Sequence, residues 1–117
     1  LKSNICIICG KPIKGQKTIE HIFPKMAPEY CYDVLFCEKM TSFIRSRVNK
    51  GYTHSSCNKK KGCYIVSHKD IDNLYIPTYQ KSILHKMRNV YNSVFEDIQN
   101  TPEYQSCERT LYGSKGE

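Results

Sequence analysis

The sequence predicts a small α+β domain, and three observations predict it. Two short β-prone runs, at 17–23 and 50–54, are bounded by turn or breaker residues. Two Cys/His pairs, Cys6-x-x-Cys9 and His54-x-x-Cys57, carry metal-ligand spacing and flank those runs. A stripe of apolar residues near the C-terminus recurs at helical spacing over four turns. At 117 residues the chain suits one domain, 1–117, with a single modest core.

Taken in order, residues 4–9 read as a short apolar strand ending in a metal knuckle, followed by turn signals at Gly10, Pro12 and Gly15. The run 17–23 must stop at Pro24, which cannot donate a ladder hydrogen bond. After an irregular stretch at 25–33, Asp33 can cap a helix running to about Arg47, with Val34, Cys37, Thr41, Ile44 and Val48 on its apolar face. Residues 50–54 form the second strand. A second helix starts at Ser55 or Ser56, either of which can cap it, and Gly62 offers a stop. Ile83, Leu84, Met87, Val90, Tyr91, Val94, Phe95 and Ile98 predict one amphipathic core helix over about 77–101, opened by Pro77-Thr78 and closed by Thr101-Pro102. His85 lies off that stripe and is expected to be exposed and inert. Residues 103–117 are expected to be frayed or loosely packed. Repeats and low-complexity tracts are absent.

The charge balance of +7, from 18 Lys+Arg against 11 Asp+Glu, favours a polyanionic partner, with a solvated basic surface tuned for solubility as the alternative. Arg45, Arg47 and Lys50 precede the second Cys/His pair, and Lys59, Lys60 and Lys61 follow it, where they can hold phosphates. There is no run of 18 apolar residues, so no helical membrane span is expected. No signal peptide is visible, and the start at Leu1 suggests a domain cut from a longer chain.

Seven cysteines cannot all pair within one chain. Cys6, Cys9, His54 and Cys57 supply four N/S ligands in two pairs, enough for a closed tetrahedral structural zinc site rather than a set of buried thiols. Such a site contributes folding free energy directly and would compensate for a modest apolar content. Cys31, Cys37, Cys63 and His68 have looser spacings; a second zinc site there is the weaker expectation, and buried thiols, Cys107 included, the stronger one. Glu20-His21 places an oxygen donor suited to a hard divalent ion beside an imidazole suited to proton transfer. Strand alternation points the two to opposite faces, so both serve one site only if the strand bends.

The string Glu20-His21-Ile22-x-Pro24, preceded by Cys6-x-x-Cys9 and followed by Asn49-x4-His54-x-x-Cys57-Asn58-x-x-Lys61-Gly62, resembles the HNH (ββα-metal) nuclease family over roughly residues 4–62. The resemblance implies a hairpin and helix gripping one divalent ion, Mg²⁺ or Mn²⁺. It makes His21 the general base, Glu20 and Asn58 the catalytic metal ligands, and Cys6, Cys9, His54 and Cys57 the knuckle. Asn49 would hold the loop and orient the base, and Lys61 of the Lys-Gly pair would rank first among the phosphate contacts. Two features depart from the commoner pattern. Glu replaces Asp at position 20, and 27 residues lie between His21 and Asn49.

The implied activity is metal-dependent hydrolysis of DNA phosphodiester bonds. The competing reading is a non-catalytic zinc-knuckle module that binds nucleic acid; a disulfide-linked secreted binding domain ranks third. Restriction, mobile-element and toxin contexts all use such domains. The location would be cytoplasmic, or extracellular for a toxin, whose partners would include a cognate inhibitor; a dimer would turn nicks into double-strand breaks.

Overall fold

The computed structural model describes residues 4–107 and 109–114. Strand β1 (Thr18–His21) is followed by a 3-10 turn at Ala27–Tyr30 and helix α1 (Val34–Arg45). A 3-10 turn at Arg47–Asn49 leads into β2 (Lys50–Thr53) and directly into α2 (Ser55–Lys61). Four helices then follow: α3 (His68–Asn73), α4 (Thr78–Val90), α5 (Asn92–Gln99) and α6 (Pro102–Cys107). A small hairpin of β3 (Arg109–Thr110) and β4 (Gly113–Ser114) comes last. No helix among the described residues is long and apolar enough to cross a membrane.

β1 and β2 pair antiparallel, with Ile19 opposite Tyr52, Glu20 opposite Gly51 and His21 opposite Lys50. The N-terminal segment closes the far edge of β2: Ile7 N–H donates to the Tyr52 carbonyl at 3.1 Å, and Tyr75 N–H to that of Ile7 at 2.9 Å. Ile7 lies against the Gly51 backbone so closely that a Cβ there would meet its Cδ1 at 2.6 Å, which explains a glycine inside a strand. The segment itself is no strand. Ile5 makes a single bridge to Pro12, and residues 7–9 turn, because the chain must curl for both cysteines to face one point.

Helix α1 starts as the sequence indicates, with Phe36 N–H donating to Asp33 Oδ1 at 2.8 Å. It ends at Arg45, and its buried face is Met40, Phe43 and Ile44, while Val34 lies outside. For α2 the capping expectation needs correcting. His54, not a serine, occupies the N-cap and gives no side-chain cap bond. Gly62 does end α2, at φ 55°, donating its N–H to the Asn58 carbonyl at 3.0 Å.

The expected single C-terminal helix is two helices. Tyr91, at φ −103° and ψ 20°, leaves the helical region between α4 and α5. The break lets Tyr91 pack on Phe36 and Phe43 while Phe95 stacks on Phe23 at 4.7 Å between centroids. Leu84, Tyr91, Val94, Phe95 and Ile98 are core, whereas Ile83 and Val90 of the same stripe are exposed.

His85 is not inert. Its Nδ1 lies 2.7 Å from Nδ1 of His68, and its Nε2 lies 2.7 Å from Asp72 Oδ1, joining α3 to α4. Nor is the C-terminal region loose throughout. Leu111 is buried, and the Tyr104 hydroxyl accepts the Ile65 N–H at 2.9 Å. The remainder of that expectation, residues 108 and 115–117, falls outside the described residues.

Candidate functional site

The turn at 6–9 and the start of α2 meet at one point. Cys6 and Cys9 come from the curled segment, His54 from the last position before α2, and Cys57 from its first turn. Their four ligand atoms all lie within 4.8 Å of one another, the only such metal-competent group among the described residues. His54 Nδ1 is 3.4 Å from Cys9 Sγ and 3.9 Å from Cys57 Sγ. A tetrahedral ion at about 2.3 Å from sulfur and about 2.05 Å from nitrogen would set S···N edges near ~3.6 Å, so the cluster is already close to a coordination shell. His54 Nε2 sits 3.1 Å from the Pro12 carbonyl, which fixes its proton there and turns Nδ1 to the cluster.

The thiols are electrostatically unequal. Burial raises Cys6, but backbone N–H groups of Cys9, His54 and Ile8 outweigh it and bring the thiol down to about 7. Burial and the neighbouring Cys6 push Cys57 up to about 12. All seven cysteines are free thiols. The second cysteine set does not assemble. Cys31 and Cys37 are half-buried near α1, bonded to Met40 Sδ and the Pro28 carbonyl respectively. His68 is engaged by His85, and Cys63 and Cys107 are exposed, contrary to the expectation of buried thiols.

The second cluster lies at the end of β1. Glu20 points inward and is 4% exposed, whereas Ile19 and His21 project from the opposite face, as alternation requires. Helix α2 crosses this strand end. Asn58 Nδ2 reaches the Ile19 carbonyl at 3.5 Å, and one turn later Lys61 Nζ lies 3.5 Å from both Glu20 Oε1 and the His21 carbonyl. Asn58 and Lys61 thus present one helix face to residues 19–21.

Lys61, expected on a phosphate, is 1% exposed, so in this conformation it is the partner of Glu20 and not a surface contact. Burial nevertheless dominates the pair. It raises the Glu20 carboxyl above its ordinary range against the pull of Lys61, and it lowers Lys61 against the pull of Glu20. Glu20 Oε2 is buried with no hydrogen-bond partner. Such an oxygen costs free energy unless a partner outside the protein satisfies it.

His21 is half-buried, and its imidazole makes no hydrogen bond among the described residues. Burial pulls its pKa below the ordinary value, and Lys50, Lys25 and Lys61 pull it further, so the ring is neutral at neutral pH. Lys25 was not foreseen from the sequence; it matters because Pro24 turns the chain back beside the strand end.

Asn49 is fully buried and staples that end. Phe23 N–H donates to Oδ1 at 2.8 Å, and Nδ2 donates to the Phe23 and Ile44 carbonyls at 3.0 Å each. Asn49→Ala is expected to cost about 3 kcal/mol or more, because each stranded buried group costs about 1–3 kcal/mol. A urea midpoint unchanged from wild type would refute that role. Of the remaining basic candidates, Arg45, Arg47, Lys59 and Lys60 are exposed and Lys50 is half-buried.

Comparisons with protein-family models, with curated proteins and with solved structures returned no match. The functional reading therefore rests on the residues and their geometry.

Proposed function

We propose that this protein is a metal-dependent endonuclease of the HNH type, hydrolysing DNA phosphodiester bonds, with zinc in the Cys6, Cys9, His54 and Cys57 cluster. The observation that carries the reading is the half-satisfied carboxylate of Glu20, buried at a strand end beneath the α2 face that presents Asn58, with the unpartnered imidazole of His21 next to it in sequence. Three thiolates and one imidazole nitrogen match zinc in ligand type and number. Glu20 and Asn58 offer oxygens, the donor type that Mg²⁺ or Mn²⁺ takes.

Each residue then has a role. His21, neutral and free to accept, would take the proton from a water attacking phosphorus; because it projects from the face of β1 opposite Glu20, its imidazole must reach the ion around the strand end, where β1 stops at His21. Glu20 and the Asn58 amide oxygen would hold the catalytic ion, which when bound would supply positive charge to the attacked phosphoryl group and the leaving oxygen. Asn49 keeps the residues after His21 in place through Phe23. The knuckle fixes α2, because Cys57 and Asn58 are consecutive and point about 100° apart around the helix. Arg45, Arg47, Lys50, Lys59 and Lys60 would hold backbone phosphates, while Lys61 stays at Glu20.

The test is nicking of supercoiled plasmid by the zinc-loaded protein with added Mg²⁺ or Mn²⁺. His21→Ala is expected to lower the rate by roughly 10²–10⁴-fold with unchanged thermal unfolding. Undiminished cutting by that variant at neutral pH would remove the assignment. One observation favours a second reading, a non-catalytic zinc-knuckle module that binds nucleic acid: the Glu20–Lys61 ion pair gives the carboxylate a structural partner. Binding of DNA without cutting under any divalent ion would select it.

A further inference from the structure

A cleft of about 810 Å³ runs from β2 to the start of α4, on the scale of an established ligand site. Arg47, Lys50, Tyr52, Tyr75, Tyr79 and Ile83 line it, among other aliphatic residues, and no acidic side chain does. Tyr75 is 56% exposed and Tyr79 is 68% exposed, an unusual display of aromatic surface on a small domain. Beside the lining, Lys17 Nζ lies 4.7 Å from the centre of the Tyr52 ring. The floor is rigid: Gln80, itself buried, donates its Nε2 to the Val48 carbonyl at 2.9 Å and the Lys50 carbonyl at 3.1 Å.

The position of this cleft ties it to the strand-end cluster. Directly opposed residues of an antiparallel pair share a sheet face. Ile19 opposes Tyr52 and His21 opposes Lys50, so two residues of the cleft stand on the same hairpin face as His21.

We propose that the cleft binds an unpaired nucleic-acid strand, with bases against Tyr52, Tyr75 and Tyr79 and phosphates on Arg47 and Lys50. Aromatic faces interleaved with cations are what a single strand recognises, because each base has a free π-face and each linkage a charge. In a duplex those faces are stacked on one another and closed to tyrosine. Resting on the nuclease reading, the inference narrows the substrate to single strands, or to duplexes carrying a flap or junction that feeds a strand past Lys50 to His21.

The experiment is binding of fluorescent oligonucleotides to the zinc-loaded protein without Mg²⁺ or Mn²⁺, followed by anisotropy. A single-stranded oligonucleotide is expected to bind at least tenfold more tightly than a blunt duplex of the same length. Tyr79→Ala is expected to lose roughly tenfold on the single strand, with little change on the duplex, and Tyr79→Phe to restore it. Arg47→Ala and Lys50→Ala should each flatten the salt dependence by about 0.7 in log–log slope. Because the protein lacks tryptophan, quenching of tyrosine emission by the bound strand gives a second readout.

Equal or tighter binding of the blunt duplex, or indifference to Tyr79→Ala, would overturn the proposal. So would capture of a proline-rich peptide with no oligonucleotide binding. The two readings fail separately. Tyrosine-dependent strand binding without cutting removes the nuclease alone, and His21-dependent cutting that ignores Tyr79 removes the cleft alone.

Discussion

Stripping the metal from the Cys6, Cys9, His54 and Cys57 cluster is expected to unfold the protein, and Cys57→Ser is expected to leave it unfolded at room temperature. Structural zinc contributes an apparent ~10–16 kcal/mol in small domains, against a typical total stability of about 5–15 kcal/mol. Here the cluster ties the 6–9 turn to α2 across more than forty residues of chain. The turn also brings Cys6, Ile7 and Ile8 into the core, so its release would open the core as well as the knuckle. Acid should act like a chelator, since all three thiols must be deprotonated for the metal to bind. The measurements are metal content per chain and far-UV circular dichroism during titration with a strong chelator. Cys63→Ser is the control, because that thiol is exposed and outside the cluster. An unfolding transition untouched by complete metal removal would show that the four residues are only neighbouring thiols and an imidazole.

What the sequence made legible was spacing; what it hid was direction. The two metal-ligand pairs, the two strand runs, the Asp33 cap and the Gly62 stop are all local patterns and are found near where the residues placed them, whereas the pairing of the strands, about thirty residues apart, came only with the family resemblance. The break at Tyr91 was illegible because apolar periodicity continues straight through it; only the demand of Phe95 for Phe23 and of Tyr91 for Phe43 fixes the bend. Helix α3 is opened by Ser67 and Asp70 in a capping box, a signal the short element concealed among polar residues. The same limit applies at the strand end. Glu20, Asn49 and Asn58 are set near one another by pairing and helix placement, but nothing in Lys59, Lys60 and Lys61 says which lysine turns inward. That depends on α2 lying across β1, a tertiary fact.

The inward turn of Lys61 yields the second large expected effect. Lys61→Met should destabilise the metal-free protein by about 3–5 kcal/mol, the usual cost of leaving one member of a buried ion pair alone. The uncompensated group would be Glu20, which already has one oxygen without a partner. If the ammonium stands in the place of a catalytic cation, that loss is recoverable. Mn²⁺ should raise the unfolding temperature of Lys61→Met, by a free energy of about 2.7 kcal/mol once the ion reaches a hundredfold excess over its Kd. Wild type should gain less, because its lysine competes for the same carboxylate. Glu20→Met combined with Lys61→Met removes both charges; it should regain most of the stability, since apolar replacement of a buried pair is often neutral or favourable, and it should be blind to Mn²⁺. This double variant should also cut no DNA, which separates a carboxylate kept for chemistry from one kept for folding. Equal response of the single and double variants to Mn²⁺ would mean that Glu20 is no metal ligand, and the ion pair would then be a structural element of the strand end.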